Sequence, residues 1–408
     1  MAITLVAIAA LAATGAFAQS SVTAYGVVDA AVKNYSVTAG TGTKLINARG
    51  VSDGMNAGPR IGFKGTEDLG NGMSANFVIE AGISVTDRAG ITGARAAAEG
   101  AQMYGVSNSG NMPLGSYSTS GSQNRQTYVG LKDNTVGEIR AGYQYTNMYD
   151  LSTNSGYMVG QEQAGGFLHK MFQDKYGDSR ANSLTYISPA FSGVTVQAQA
   201  GGGSSTSRNY DFTTSNAVGY DGYTKASGQR HSLMATWANG PAKVSLGTTS
   251  FKEVLVAGTT TTSYNQYNAA STTAAASANT KNTLTQLGAS YDFGVAKLTG
   301  TYLSGKREDV TTAANTRDDK ATQIGALVPV SGTRATAFVM VGNGTAKKPD
   351  GTKDNDYTQS QYGVRYAFSP RTTAYFTHGS AKDKAVLSTA ATGIAKNSVT
   401  GLGLVHSF

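Results

Sequence analysis

Residues 359–371 read Gln-Ser-Gln-Tyr-Gly-Val-Arg-Tyr-Ala-Phe-Ser-Pro-Arg. Gln359, Gln361, Gly363 and Arg365 alternate with Tyr362, Val364, Tyr366 and Phe368, and the chain then turns at Ser369-Pro370-Arg371. A period of two puts polar groups on one face of a strand and apolar groups on the other. The same alternation recurs elsewhere. Leu287, Ala289, Tyr291 and Phe293 oppose Gln286, Gly288, Ser290 and Asp292; Val244 and Leu246 oppose Lys243 and Ser245. Leu233, Ala235 and Trp237 oppose Ser232, Met234 and Thr236. A soluble β-sandwich alternates as well, so the strands by themselves leave two architectures open.

The connections separate them. Short turns of Gly, Pro, Asn, Asp and Ser stand at 67–72, 133–137, 188–193, 238–241, 291–294, 329–332 and 368–371. These residue types turn a chain tightly. Between them lie longer polar stretches near 34–58, 84–122, 145–179, 203–226, 253–280, 306–318, 343–357 and 381–396. Within one of these, 257–280 is Thr/Ala/Ser-rich low-complexity sequence. Seven short turns alternating with eight long loops join sixteen strands. A transmembrane barrel puts its short turns on one rim and its long loops on the other, whereas a sandwich has no such reason. Sixteen strands of about ten residues use about 160 residues, leave the rest for loops and enclose a water-filled bore.

Composition agrees. The 408 residues include 51 Gly without a collagen period, 22 Tyr, one Trp, seven Pro and no Cys. Lack of Cys removes disulfides, thiolate metal sites and Cys nucleophiles. Hydrophobic content of 40% with 14% charged residues suits strands that need apolar groups on alternate positions. No stretch approaches the ~20 apolar residues of a membrane-spanning helix. Residues 3–13 are apolar and are followed by Ala16-Phe17-Ala18 and Gln19, the pattern of a secretory signal peptide with an A-x-A cleavage site. No Lys or Arg precedes Ile3; a start codon placed a few residues late accounts for the missing basic region. The expected organisation is a signal peptide over 1–18 and a barrel over 19–408. An exported chain that crosses a bilayer without a helix must close its sheet, because lipid satisfies no open edge.

The ending Gly401-Leu402-Gly403-Leu404-Val405-His406-Ser407-Phe408 places Leu402, Leu404, His406 and Phe408 on one face. It resembles the C-terminal strand that barrel-assembly machinery recognises, with Phe408 as the assembly signal. Residues 21–30 (Ser-Val-Thr-Ala-Tyr-Gly-Val-Val-Asp-Ala) resemble the first strand of Gram-negative general porins, above all their β-proteobacterial branch. Residues 60–70, 124–131 and 182–189 continue the likeness in order. The resemblance implies an all-β, sixteen-stranded antiparallel transmembrane barrel in the cell outer membrane. It further implies a homotrimer in contact with outer-membrane lipid and lipopolysaccharide, and a third external loop folded into the lumen. That loop falls at 145–179.

The family sets basic side chains on the wall and carboxylates on the inward loop, producing a transverse field. Charged linings bias which ions enter a pore. Arg60 and Lys64 share a face with Gly62, opposite Ile61 and Phe63, so alternation itself directs them to the lumen. Pore tuning and plain solvated lining are both open for them. Arg125 is the counterpart the resemblance suggests, although Gln126 and Tyr128 leave its face ambiguous. Arg180 has the parity of Leu184 and Tyr186 and needs a bulge to turn inward. The loop candidates are Asp150 and Glu162, against the plain alternative of solvated loop acids. Asp29, Lys33 and Glu80 are lumen-phased with a weaker claim. Where the family usually carries Arg, this chain has Tyr143.

Enzyme readings find little support. His169, His231, His378 and His406 are scattered without metal-ligand spacing, and no phosphate-binding loop motif occurs. No catalytic residue, metal or cofactor is expected. The formal charge of +8 is dispersed rather than clustered with aromatics, so nucleic acid is not an expected partner. The expected function is passive diffusion of ions and small hydrophilic solutes, with a weak preference for anions. The alternatives are a substrate-specific channel, for sugars for instance, and a soluble secreted β-protein or adhesin. A sugar channel wants aromatic rings along the lumen, and the Tyr residues that can be phased point mostly to lipid.

Overall fold

A computed structural model describes residues 21–83, 85, 124–153, 180–201, 230–254, 260–265, 268–274, 279–385 and 394–408. The expected leader, Glu162 and all of 154–179 lie outside the described residues. In chain order the elements are β1 (Ser21–Ala39), β2 (Lys44–Asp53), β3 (Arg60–Gly70), β4 (Met73–Gly82), β5 (Asn124–Asp133) and β6 (Gly137–Tyr145). A short helix α1 (Asn147–Leu151) precedes β7 (Arg180–Ile187), β8 (Val194–Gly201), β9 (Arg230–Asn239) and β10 (Ala242–Val254). Then come β11 (Thr260–Asn265), β12 (Asn268–Ala274), β13 (Asn279–Asp292), β14 (Lys297–Asp309) and β15 (Asn315–Pro329). The last four are β16 (Ala335–Lys347), β17 (Lys353–Ala367), β18 (Thr372–Asp383) and β19 (Ile394–Ser407).

Neighbouring strands pair antiparallel in meander order, and β19 returns to pair with β1 from Val27↔Ser407 onward. Phe408 completes the seam: its N–H donates to the Gly26 carbonyl and its carbonyl accepts from the Gly26 N–H, each at 3.1 Å. β2 and β3 both run beside β1, β2 against residues 30–38 and β3 against 21–27. They are two halves of one wall strand, so the closed barrel has sixteen strands. β11 and β12 form a separate ribbon within the low-complexity stretch. All seven expected short turns join consecutive strands.

Alternation sorts the faces as expected. Val244, Leu246, Leu287, Tyr291, Tyr362, Val364 and Tyr366 are exposed on the outside, while Ser245, Gln286, Gln359 and Gln361 are buried on the inside. Leu402 and Leu404 face out, as the terminal pattern requires. One expectation needs correction, and two observations go beyond the sequence. The stretches 34–58, 306–318 and 343–357 are mostly strand, closing in the short connections 40–43, 310–314 and 348–352. These arms are largely polar in sequence, which masks the alternating signal, so a polar hairpin reads like a loop. Secondly, Tyr25, Tyr35, Tyr357 and Tyr375 have inner-face parity, so the tyrosines are not confined to the lipid face. Thirdly, the inner face is not uniformly polar. Phe251, Leu284, Leu303, Ala321, Ala346, Tyr357 and Ala381 form a buried apolar stripe there, joined by Met148 of α1.

The helix explains part of that stripe. Thr146 caps α1 by accepting from the Tyr149 N–H at 3.3 Å. Five residues make too little helix to stand alone, and α1 is held by the wall. The Met148 methyl lies over Gly247 of β10, where any Cβ would collide with it. Asn147 and Gln197 of β8 exchange hydrogen bonds: Asn147 Nδ2 to the Gln197 carbonyl at 3.0 Å, and Gln197 Nε2 to Asn147 Oδ1 at 2.7 Å. Gln286 Nε2 of β13 donates to Ser152 Oγ at 2.8 Å.

Candidate functional site

The inner wall of β1, β3, β4 and β5 gathers around one carboxylate. β4 alternates Ile79 outward with Glu80 inward, and Glu80 is buried. Register sets Tyr25, Gly62 and Glu80 side by side on three adjacent strands. Gly62 has no side chain, and a Cβ there would strike the Tyr25 phenol. The Tyr25 hydroxyl therefore crosses that strand and donates to Glu80 Oε2 at 3.0 Å. Arg125 Nε donates to Glu80 Oε1 at 2.7 Å, and Arg60 Nε lies 3.7 Å from Oε2.

Each predicted wall residue reaches this patch. Arg60 projects inward as alternation requires. Lys64 holds its ammonium 5.5 Å from the centre of the Tyr25 ring, a cation–π distance. Arg125 has the parity of Val129 and Leu131, which face out, yet it points in. The pairing of β4 with β5 slips between Glu80 and Ala81, opposite Arg125. This bulge, unread in the sequence, resolves the ambiguity of its face. Arg180 shows the reverse. No register shift interrupts its strand, Arg180 pairing with Tyr145 and Ile187 with Glu138; the expected bulge is absent. Its guanidinium instead lies 4.7 Å from the Tyr145 ring, and Nη2 donates to the Tyr145 hydroxyl at 3.2 Å. Arg125 Nη2 donates to the same oxygen at 2.8 Å. Arg60 and Arg125 thus pair with Glu80, while Lys64 and Arg180 rest against Tyr25 and Tyr145, so among the described residues this cluster holds four cations to one carboxylate.

Asp150 sits apart from them on α1, accepting from Gln197 Nε2 at 3.2 Å. Burial pushes its carboxyl up to about 6, against the opposing pull of the Gln197 hydrogen bond and of Arg140. The helix still touches the cationic patch, because Tyr149 stacks on Tyr145 at 4.3 Å. A second ion pair, Glu138 with Arg140 at 2.7 Å, stands nearer the short-turn rim. Asn76 Nδ2 donates to Glu138 at 3.0 Å. Glu138 and Arg140 went unread although their spacing of two already phased them together. Tyr143 pairs with Asn182 and has the parity of Ile139 and Ala141.

Comparison with known proteins bears on this wall. Residues 4–385 match the sequence profile described as Gram-negative porin. The chain is 29% identical over 192 residues to the major outer membrane protein P.IB of Neisseria gonorrhoeae, covering 46% of this chain and 45% of that one. The match thus spans about half the length of that relative. It is 29% identical over 308 residues to outer membrane porin protein 32 of Delftia acidovorans, covering 72% of this chain and 67% of that one. Among solved structures, the anion-selective porin from Comamonas acidovorans superposes with a TM-score of 0.65 at 23% identity, over 96% of this chain and all of that one.

Proposed function

We propose, on the premise that this chain belongs to the Gram-negative porin family, that it forms a water-filled outer-membrane channel for passive diffusion of ions and small hydrophilic solutes. Its work is conduction rather than catalysis. The observation that carries the reading is the inner-wall cluster of a closed barrel in which Arg60 and Arg125 pair with Glu80, Lys64 lies over Tyr25, and Arg180 joins Arg125 through the Tyr145 hydroxyl. Guanidinium groups keep their charge across the working pH range, and fixed lumen charge raises the local concentration of counter-ions. The channel therefore prefers anions weakly.

The same reading extends to parts outside the described residues. Segment 145–179 narrows the bore as an inward loop, with Asp150 and Glu162 opposing the wall cations. Support comes from α1, which docks on Gln197, Gly247 and Gln286 of inward parity. Residues 1–18 are removed on export, Phe408 serves barrel assembly, and three copies associate within lipid and lipopolysaccharide. An aromatic lumen track of the sugar-channel kind has weaker support, since the Tyr25 and Tyr375 hydroxyls are tied to Glu80 and Asp29. Planar-bilayer recordings of the purified protein in a KCl gradient test the proposal. Stepwise conductance with a reversal potential on the chloride side is expected; no conductance from folded protein overturns the channel, and a potassium-side value overturns the anion preference. A trimer-sized band lost on boiling tests the assembly.

A further inference from the structure

Six residues lie between β2 and β3, and the last of them, Pro59, stays in the wall, its carbonyl accepting from the Ile83 N–H at 3.1 Å. Against Gly54, Met55, Asn56, Ala57, Gly58 and Pro59, the neighbouring β1 offers just Val28 and Asp29. The surplus chain folds to the inner face and is latched there. The Gly54 N–H donates to the Asp29 carbonyl at 2.7 Å. The N–H groups of Asn56 and Ala57 both donate to Asp29 Oδ2, at 2.9 and 2.7 Å. The Tyr375 hydroxyl donates to Asp29 Oδ1 at 2.6 Å and accepts from the Met55 N–H at 2.7 Å. Every N–H from 54 to 57 is thereby satisfied by one aspartate and one tyrosine, both fully buried. The far end of the excursion meets the pore wall: Arg60 Nη1 donates to the Gly58 carbonyl at 3.2 Å.

We propose that Asp29, with Tyr375, is a positioning residue for ion selection. It holds the 54–59 excursion, whose Gly58 carbonyl aims the Arg60 guanidinium at the lumen beside Glu80. Asp29 acts through geometry more than through its own charge. A carboxylate accepts several N–H donors at once and fixes a loop that the short neighbouring strand cannot pair. With the latch broken, the excursion relaxes, the bore widens locally and Arg60 loses its fixed place.

The inference rests on the channel reading, and the experiment separates the two. Wild-type protein is recorded first; if it folds and does not conduct, the channel reading fails and this one with it. Asp29→Ala and Asp29→Asn remove the same charge, but Asn retains an oxygen for Asn56 and Ala57 and an amide for the Tyr375 oxygen. The expected result is higher conductance and weaker anion preference in Asp29→Ala than in Asp29→Asn. The reversal-potential shift produced by Arg60→Ala should also shrink by about half or more in the Asp29→Ala background, because coupled residues are non-additive. Identical behaviour of the two Asp29 variants, or an Arg60→Ala shift of undiminished size, overturns the inference. If Asp29→Ala does not fold, Tyr375→Phe removes a single hydroxyl, and the same Arg60 cycle is read in that background.

Discussion

Glu80→Gln should make the channel more anion-preferring while leaving the barrel folded. Among the described residues Glu80 is the carboxylate shared by Arg60, Arg125 and Tyr25. Gln keeps the shape and an acceptor for Arg125 Nε, and its amide can donate to the Tyr25 oxygen. What disappears is one negative charge. At about 4–8 Å in water a unit charge is worth ~0.5–1 kcal/mol to a passing monovalent ion, with opposite sign for anion and cation. The gap between them therefore widens by about 1–2 kcal/mol, ~5–30-fold in relative permeability before screening. With a Debye length of ~10 Å at 0.1 M salt, several-fold should survive, and more at lower salt. Arg125 retains the Tyr145 hydroxyl at 2.8 Å, so the stability cost should stay near ~1–3 kcal/mol, that of an altered hydrogen bond to a charged group. The assay is the reversal potential in a KCl gradient at two ionic strengths, on protein that still migrates in heat-modifiable form. An unchanged potential, or one displaced toward potassium, would refute the assignment of Glu80 to the conducting wall.

Three further outcomes are expected. Asp150 is held near 6 by burial, so it is ionised at neutral pH and protonated below about 6; anion preference should rise as pH falls from 7 to 5, and Asp150→Asn should flatten that profile. The sign for stability follows: a raised folded value means the ionised carboxylate opposes folding above about 6, so Asp150→Asn should not destabilise the barrel at pH 7, as urea titration in detergent would check. Leu246→Arg, on the exposed outer face, should cost up to ~2–4 kcal/mol in lipid vesicles, far more than Leu246→Ala; equal costs would mean that the apolar face does not meet lipid. Removing Phe408 should reduce outer-membrane insertion in cells more than refolding in detergent, because the second measurement bypasses the assembly machinery; equal losses would reduce its role to the Gly26 pairing at the seam.

The sequence by itself settles which way most side chains point. Period two is local, so Arg60, Lys64 and Glu80 were assignable to the inner face, and the turn residues at 67–72 or 368–371 set where strands reverse. Strand number and antiparallel order follow from the alternation of short and long connections, and closure follows from the chemistry of lipid. Where the parity rule breaks, local sequence is silent. The slip opposite Arg125 turns that residue inward, and the surplus of 54–59 over Val28 and Asp29 sends the middle of that excursion to the lumen side; both depend on the register of a neighbouring strand. Partners are decided the same way. Arg125 and Arg180, 55 positions apart in sequence, meet on one tyrosine oxygen because β5, β6 and β7 are adjacent and aligned at that height. Tyr375 reaches Asp29 across the closing seam for the same reason. A residue's face is a property of its own strand, whereas its partner is a property of how strands align. That alignment is fixed only when the sheet closes on itself.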